Sequence, residues 1–176
     1  VNAPLIFLDI DGVLNNHVVL KNGINSIDRQ NVEQLNILIR ATDARVVISS
    51  AWRYMILGGA MTLEGFRYML MAHGLTSEAR IVGHTCSDEA MPERGDQIAL
   101  YLATEATPAA RKHYVILDDG SELPQGDNRT TMSQSLTGAH GYRWVLVDGS
   151  RGLTAPDVEK AVAILDGRIH PVGGGR

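Results

Sequence analysis

A single cysteine, Cys86, stands in the 176 residues, which excludes an internal disulfide and leaves no thiol pair for a zinc site. No helix start or basic neighbour is evident beside it to favour the thiolate, so it is read as inert. Long apolar runs are missing too. Leu5–Leu8 is far too short for a signal-peptide core or a membrane span, and no other run approaches either length. Positive charge is scarce as well. A formal net charge of −4 argues against a strong non-specific hold on nucleic acid, which depends on Lys and Arg displacing counterions, although a local basic patch is compatible with it. Internal repeats, low-complexity tracts and dividing linkers are absent, so one domain over residues 1–176 is expected, with a cytoplasmic location and no membrane partner. The ends, Val1 and Gly173-Gly174-Gly175-Arg176, are given no structural role.

What is present has the composition of an ordinary soluble globular domain, 44% hydrophobic and 20% charged. Leu5-Ile6-Phe7-Leu8 is apolar at every position, the pattern of a strand covered on both faces in a parallel sheet. Val46-Val47-Ile48, Tyr114-Val115-Ile116-Leu117 and Trp144-Val145-Leu146-Val147 read the same way, and Arg80-Ile81-Val82 reads as an edge strand. Between them lie helical spacings: Val32, Leu35, Leu38 and Ile39; Leu63, Phe66, Met69 and Leu70, closed by Gly74; Ile98, Tyr101 and Leu102. Thr154-Ala155-Pro156-Asp157 supplies a cap, an early proline and an acidic first turn for a last helix through Val158, Ala161, Val162 and Leu165. Strands alternating with helices predict a three-layer α/β/α sandwich with a mostly parallel sheet. Pro124 to Gly141, polar and without periodicity, reads as a functional loop.

In open parallel sheets ligands bind beyond the carboxyl ends of the strands, so the polar residues ending each apolar run belong together. They are Asp9 and Asp11, Ser49 and Ser50, and Asp118 and Asp119. Each piece alone also reads as a turn or an ordinary strand end. In combination, the acids at two buried strand ends repel one another unless a cation lies between them, and a few carboxylates completed by water and phosphate oxygens suit Mg²⁺.

The stretch Leu5-Ile6-Phe7-Leu8-Asp9-Ile10-Asp11-Gly12-Val13-Leu14-Asn15 resembles the first motif of the haloacid dehalogenase (HAD) superfamily. A serine after the second strand, Arg94 at a helix start and Asp118-Asp119 after a later strand follow in the superfamily's order. Within it, Val46 to Arg53, Arg94-Gly95, Ile116 to Asp119 and Gly152-Leu153-Thr154 resemble the small HAD domains of Swiss Army Knife RNA-repair proteins.

The resemblance implies a Rossmann-like HAD sheet and a phosphatase. Asp9 attacks phosphorus to give an aspartyl-phosphate, and Asp11 protonates the leaving oxygen and then activates water. Mg²⁺ is held by Asp9, the backbone carbonyl of Asp11 and Asp119, with Asp118 in support or as an alternative ligand. Ser50 donates to a phosphoryl oxygen, or Ser49 does if the strand ends one residue earlier. Arg94 supplies fixed positive charge at a position where a cation opposes the helix dipole. Trp52 and Arg53 are candidates to stack on a base and clamp a second phosphate, while packing under the first helix is an equal reading for Trp52. The six histidines show no metal-ligand spacing, and His140 alone, in the polar loop, draws notice.

The gaps after the first motif, Asn15 to Ala44, and after the second, Trp52 to Glu93, leave no room for a large cap domain. An open site suits a phosphate on a large substrate. Polynucleotide ends come first on the resemblance, ahead of phosphoproteins or nucleotides, and a non-catalytic metal-binding regulatory module is the alternative of a different class.

Overall fold

Leu5–Leu8 forms β1 and is buried at every position in the structure, a computed structural model that describes residues 3–16, 27–86, 93–120 and 140–169. β2 (Arg45–Ile48) and β4 (Tyr114–Asp118) flank it, and β3 (Ile81–His84) and β5 (Trp144–Leu146) are the edges of a five-stranded sheet ordered β3-β2-β1-β4-β5. Every pairing is parallel. A central strand in such a sheet has helices on both faces, which is why β1 has no polar alternation.

One face of the sheet presents Ile6, Leu8, Val46, Ile48, Val115 and Leu117, and the other presents Leu5, Phe7, Val47, Tyr114 and Ile116. The first face is covered by α1 (Arg29–Thr42), α3 (Leu63–Ala72) and α5 (Ala155–Leu165), through residues such as Leu35, Phe66 and Ile164. The second is covered by α4 (Arg94–Thr104), through Ile98 and Leu102. Three layers result, the sandwich expected from the alternation of strands and helices. Local chemistry sets the helix limits. The Asp28 carboxylate accepts from Gln30 N–H ahead of α1, and Asp157 accepts from the Thr154 N–H at 2.9 Å, closing the first turn of α5.

Three details depart from the sequence reading. A short helix, α2 (Arg53–Leu57), follows directly on the serines, where its five residues are too few to show periodicity. β5 has an all-apolar pattern yet lies at an edge, and its Leu146 is exposed. β4 carries its ladder one residue further than expected and takes Asp118 into the sheet, fully buried. The expected functional loop falls, apart from its last two residues, outside the described residues. Among the described residues, no helix is long and apolar enough to cross a membrane.

The chain runs from β1 outward to β2 and β3, then returns to the other side of β1 for β4 and β5. The order therefore reverses between β1 and β4, and at such a point the following loops diverge and leave a crevice at the carboxyl ends. Leu8 pairs with both Ile48 and Leu117. The next residues, Asp9, Ser49 and Asp118, therefore arrive at one level.

Candidate active site

The ladder continues past the strand ends: Asp9 N–H donates to Leu117 C=O at 3.0 Å, and Ser49 N–H to Leu8 C=O at 2.9 Å. Asp9 follows Phe7 in the pleat and so faces the α4 layer, from which Arg94 reaches it. The Arg94 Nη1 lies 2.9 Å from Asp9 Oδ2 and also donates to Asp118 Oδ2, with all three side chains buried. The position of Arg94 in the first turn of α4, unfavourable to the helix dipole, is thus explained by two carboxylates. Burial alone would lower the Arg94 guanidinium, but Asp118 and Asp9 overcome it and hold the group above its usual range. Burial pushes the Asp118 carboxyl up to about 6, against the pull of Arg94 and the Gly120 N–H.

Asp9, Asp118 and Asp119 each place a carboxylate oxygen within 4.8 Å of the others. Three hard oxygen donors on one side, with Asp119 half-buried at the rim, fit a divalent cation that completes its shell with water and substrate oxygens. Gly12 makes this approach possible. Its φ is +76°, and a Cβ there would lie 2.1 Å from Asp119 Oδ2, so a side chain is excluded by conformation and by space.

The Asp11 carboxylate is not part of this cluster. It accepts from Asn15 Nδ2 at 2.8 Å and from the indole Nε1 of Trp52 at 2.9 Å. Burial raises its pKa, Asp9 adds to this, and the two donated hydrogen bonds oppose it. Asn15 also accepts the Gly12 N–H at 2.8 Å, tying the loop after β1 to the acid it carries. Asn15 lies within the first motif, and its spacing of four residues from Asp11 is the one signal of this role in the sequence.

Both serines are fully buried. Ser50 Oγ accepts the Trp52 N–H at 3.3 Å, closing the turn into α2. Ser49 Oγ has no hydrogen-bond partner among the described residues, and in the pleat it faces the same side as Asp9. The role expected of Ser50 therefore fits Ser49 better.

Of the two equal readings of Trp52 the geometry favours packing, and it turns Arg53 away from the phosphate clamp expected of it. Trp52 is only 7% exposed, packs edge-on against Phe66 at 6.3 Å between ring centroids, and directs its one donor to Asp11, so neither ring face is offered to a base. Arg53 is 4% exposed. Its Nε donates to Cys86 C=O, Nη1 to Ser49 and Ser50 C=O, and Nη2 to Tyr54 Oη and Gln97 Oε1. With all the guanidinium nitrogens engaged, it buttresses the serine turn and cannot also clamp a phosphate. Sequence pattern cannot distinguish an arginine that binds carbonyls from one that binds substrate, because both sit beside the same motif.

His140 is buried between Tyr114 and the start of α4. Its Nε2 lies 2.8 Å from Gly95 C=O, which can only accept, so Nε2 carries the proton and Nδ1 receives the Tyr114 hydroxyl at 2.8 Å. Burial lowers its pKa.

No curated protein and no solved structure matches this chain. A family model described as the HAD domain in Swiss Army Knife RNA repair proteins matches residues 5–158, a span that contains every residue of the site, and the chain belongs to that family.

Proposed function

We propose that this chain is a Mg²⁺-dependent phosphohydrolase that works through an aspartyl-phosphate on Asp9 and acts on the phosphorylated ends of polynucleotides. The observation that carries the chemistry is the meeting of Asp9, Asp118 and Asp119 with Arg94 at the point where the strand order reverses. Asp9, Asp118 and Asp119 would hold the cation, with the Asp11 carbonyl as a further ligand, and its charge would offset that of the nucleophile and the phosphate.

Arg94 holds one Asp9 oxygen and leaves the other to attack, so the nucleophile is oriented before substrate arrives. Its fixed charge also meets the charge that develops on the phosphoryl oxygens. Ser49 donates a hydrogen bond from its hydroxyl to one of those oxygens. Asp11, whose pKa is raised, gives its proton to the leaving oxygen and takes one from the water that cleaves the acyl phosphate. Asn15 and Trp52 set the direction of that carboxyl. The occurrence of this family's domain in RNA repair proteins supports a polynucleotide substrate.

The test is hydrolysis of an aryl phosphate and of an oligonucleotide with a terminal phosphate, with and without Mg²⁺. Turnover of both should require the metal, and Asp9→Asn should abolish it while the circular dichroism spectrum is unchanged. Near-normal turnover by Asp9→Asn would place the nucleophile elsewhere, and absence of turnover on either substrate would leave a metal-binding module.

A further inference from the structure

Trp52 turns inward, yet the next aromatic residue turns outward. Tyr54 is 53% exposed and Leu57, one turn on along α2, is 46% exposed. Single exposed apolar side chains are ordinary. Here two share one face of a five-residue helix, and that helix starts at the buried serine turn. Leu57 also borders an open groove of about 410 Å³ between α2, β3 and α4, whose lining includes Val82, Gly83, His84, Tyr101 and Glu105. We infer that Tyr54, Leu57 and this groove hold the bases of a single-stranded nucleic-acid end while its terminal phosphate lies at Asp9. The inference rests on the phosphohydrolase reading above and adds where the rest of the substrate is bound.

The ring is fixed in place. The Arg53 guanidinium carbon lies 4.6 Å from its centroid, and Arg53 Nη2 donates to its hydroxyl at 3.3 Å. The same guanidinium binds the Ser49 and Ser50 carbonyls, so Tyr54 is joined rigidly to the phosphate end of the site. Tyr54 N–H donates to Ala51 C=O at 3.0 Å, one helical turn. A base there gains stacking on a side chain already ordered, at little cost in entropy.

The groove continues from Leu57, and its volume lies in the range of about 300–1,000 Å³ typical of small organic ligands. Among the described residues its lining contains Glu105 and no Lys or Arg. A largely uncharged lining of this kind suits a base and sugar better than a phosphate, so the groove takes the base of the adjoining nucleotide and the backbone runs outside it. Recognition through faces of bases, with few phosphate contacts, also suits a chain of net charge −4 and implies a shallow dependence of affinity on salt.

The test is calorimetric binding to the Asp9→Asn chain, which leaves the phosphate uncut, of a short single-stranded oligonucleotide with a terminal phosphate and of the same oligonucleotide abasic at its last two positions. Tyr54→Ala should weaken binding of the base-bearing strand about 5- to 150-fold, the effect of losing one stack. It should leave the abasic strand unchanged, and Tyr54→Phe should bind like the parent. Equal losses on both strands, no loss on either, or no binding of the base-bearing strand would overturn the inference. Aryl phosphate turnover by the parent chain keeps the two readings apart. Turnover without base-dependent binding removes the stacking surface alone, and base-dependent binding without turnover removes the phosphohydrolase alone.

Discussion

Trp52 serves packing through its ring and chemistry through its one polar atom, and these can be separated by substitution. Trp52→Phe keeps an aromatic ring against Phe66 but removes the indole N–H that fixes Asp11. Its melting temperature should stay near that of the parent, while kcat/KM on an alkyl phosphate falls by up to about 3 kcal/mol, the upper range for a hydrogen bond to a charged group. The loss should be smaller on an aryl phosphate, whose leaving group needs less protonation. A loss equal on both substrates would show that Asp11 is not the proton donor. Trp52→Ala should unfold the chain at markedly lower temperature, since deleting a buried tryptophan costs about 3–5 kcal/mol. Gly12 allows an even narrower substitution. Gly12→Ala places a methyl group where Asp119 stands and forces an unfavourable backbone, so Mg²⁺ affinity measured by calorimetry should fall at least tenfold.

At the scale of elements, the start of α4 is where several constraints meet. Arg94 extends from it to Asp9 and Asp118, and the Gly95 carbonyl receives the His140 proton. His140 in turn accepts from Tyr114 at the beginning of β4, so α4 is pinned to the sheet beside the arginine it carries. Burial lowers the His140 pKa, with Asp96 opposing and Arg143 adding to the shift. A base depressed on folding contributes fully above its unfolded value, about 6.5, and loses that contribution as pH falls toward the folded one. Asp118 acts in the opposite sense. Raised to about 6, it contributes fully below about 3.9 and is lost as pH rises through the folded value. The difference between the parent and His140→Gln isolates the histidine. In urea unfolding between pH 8 and pH 5, the parent should lose stability relative to the variant as pH falls below about 6.5, and parallel curves would show that His140 is not held neutral.

For the whole molecule, one sheet brings distant parts of the chain to a single acidic crevice, so a bound cation should stabilise the entire fold. Binding to the folded chain at about 100 times the dissociation constant adds about 2.7 kcal/mol. For a chain of this size that corresponds to a rise of about 5–10 °C in melting temperature. Calorimetric melting with and without Mg²⁺ should show such a rise, and Asp119→Ala should remove most of it while melting near the parent without metal. The rise should shrink at pH 5, because carboxylate ligands must be deprotonated. A rise unchanged by Asp119→Ala would place the cation outside the cluster.

The apolar run of Leu5–Leu8, the helical spacing of Val32 to Ile39 and the Thr154 to Asp157 cap each determined an element locally, because periodicity and capping act within a few residues. The acids that end β1 and β4 were legible for the same reason: a parallel sheet offers its ligands at its carboxyl ends. Which neighbours these residues would meet was not legible. Trp52 and Arg53 adjoin the serines in sequence, but burial turned one ring onto Phe66 and engaged the other side chain with backbone carbonyls. His140 meets Gly95 across 45 positions, and Asp11 meets Trp52 across 41. Such contacts depend on strand order and on which layer each helix covers, and both are decided only when the chain packs. The sequence by itself determined the strands, the four longer helices and the acids that end β1 and β4; the tertiary structure alone decided which side chains face the crevice and which support it, because orientation is set by packing between elements distant in the chain.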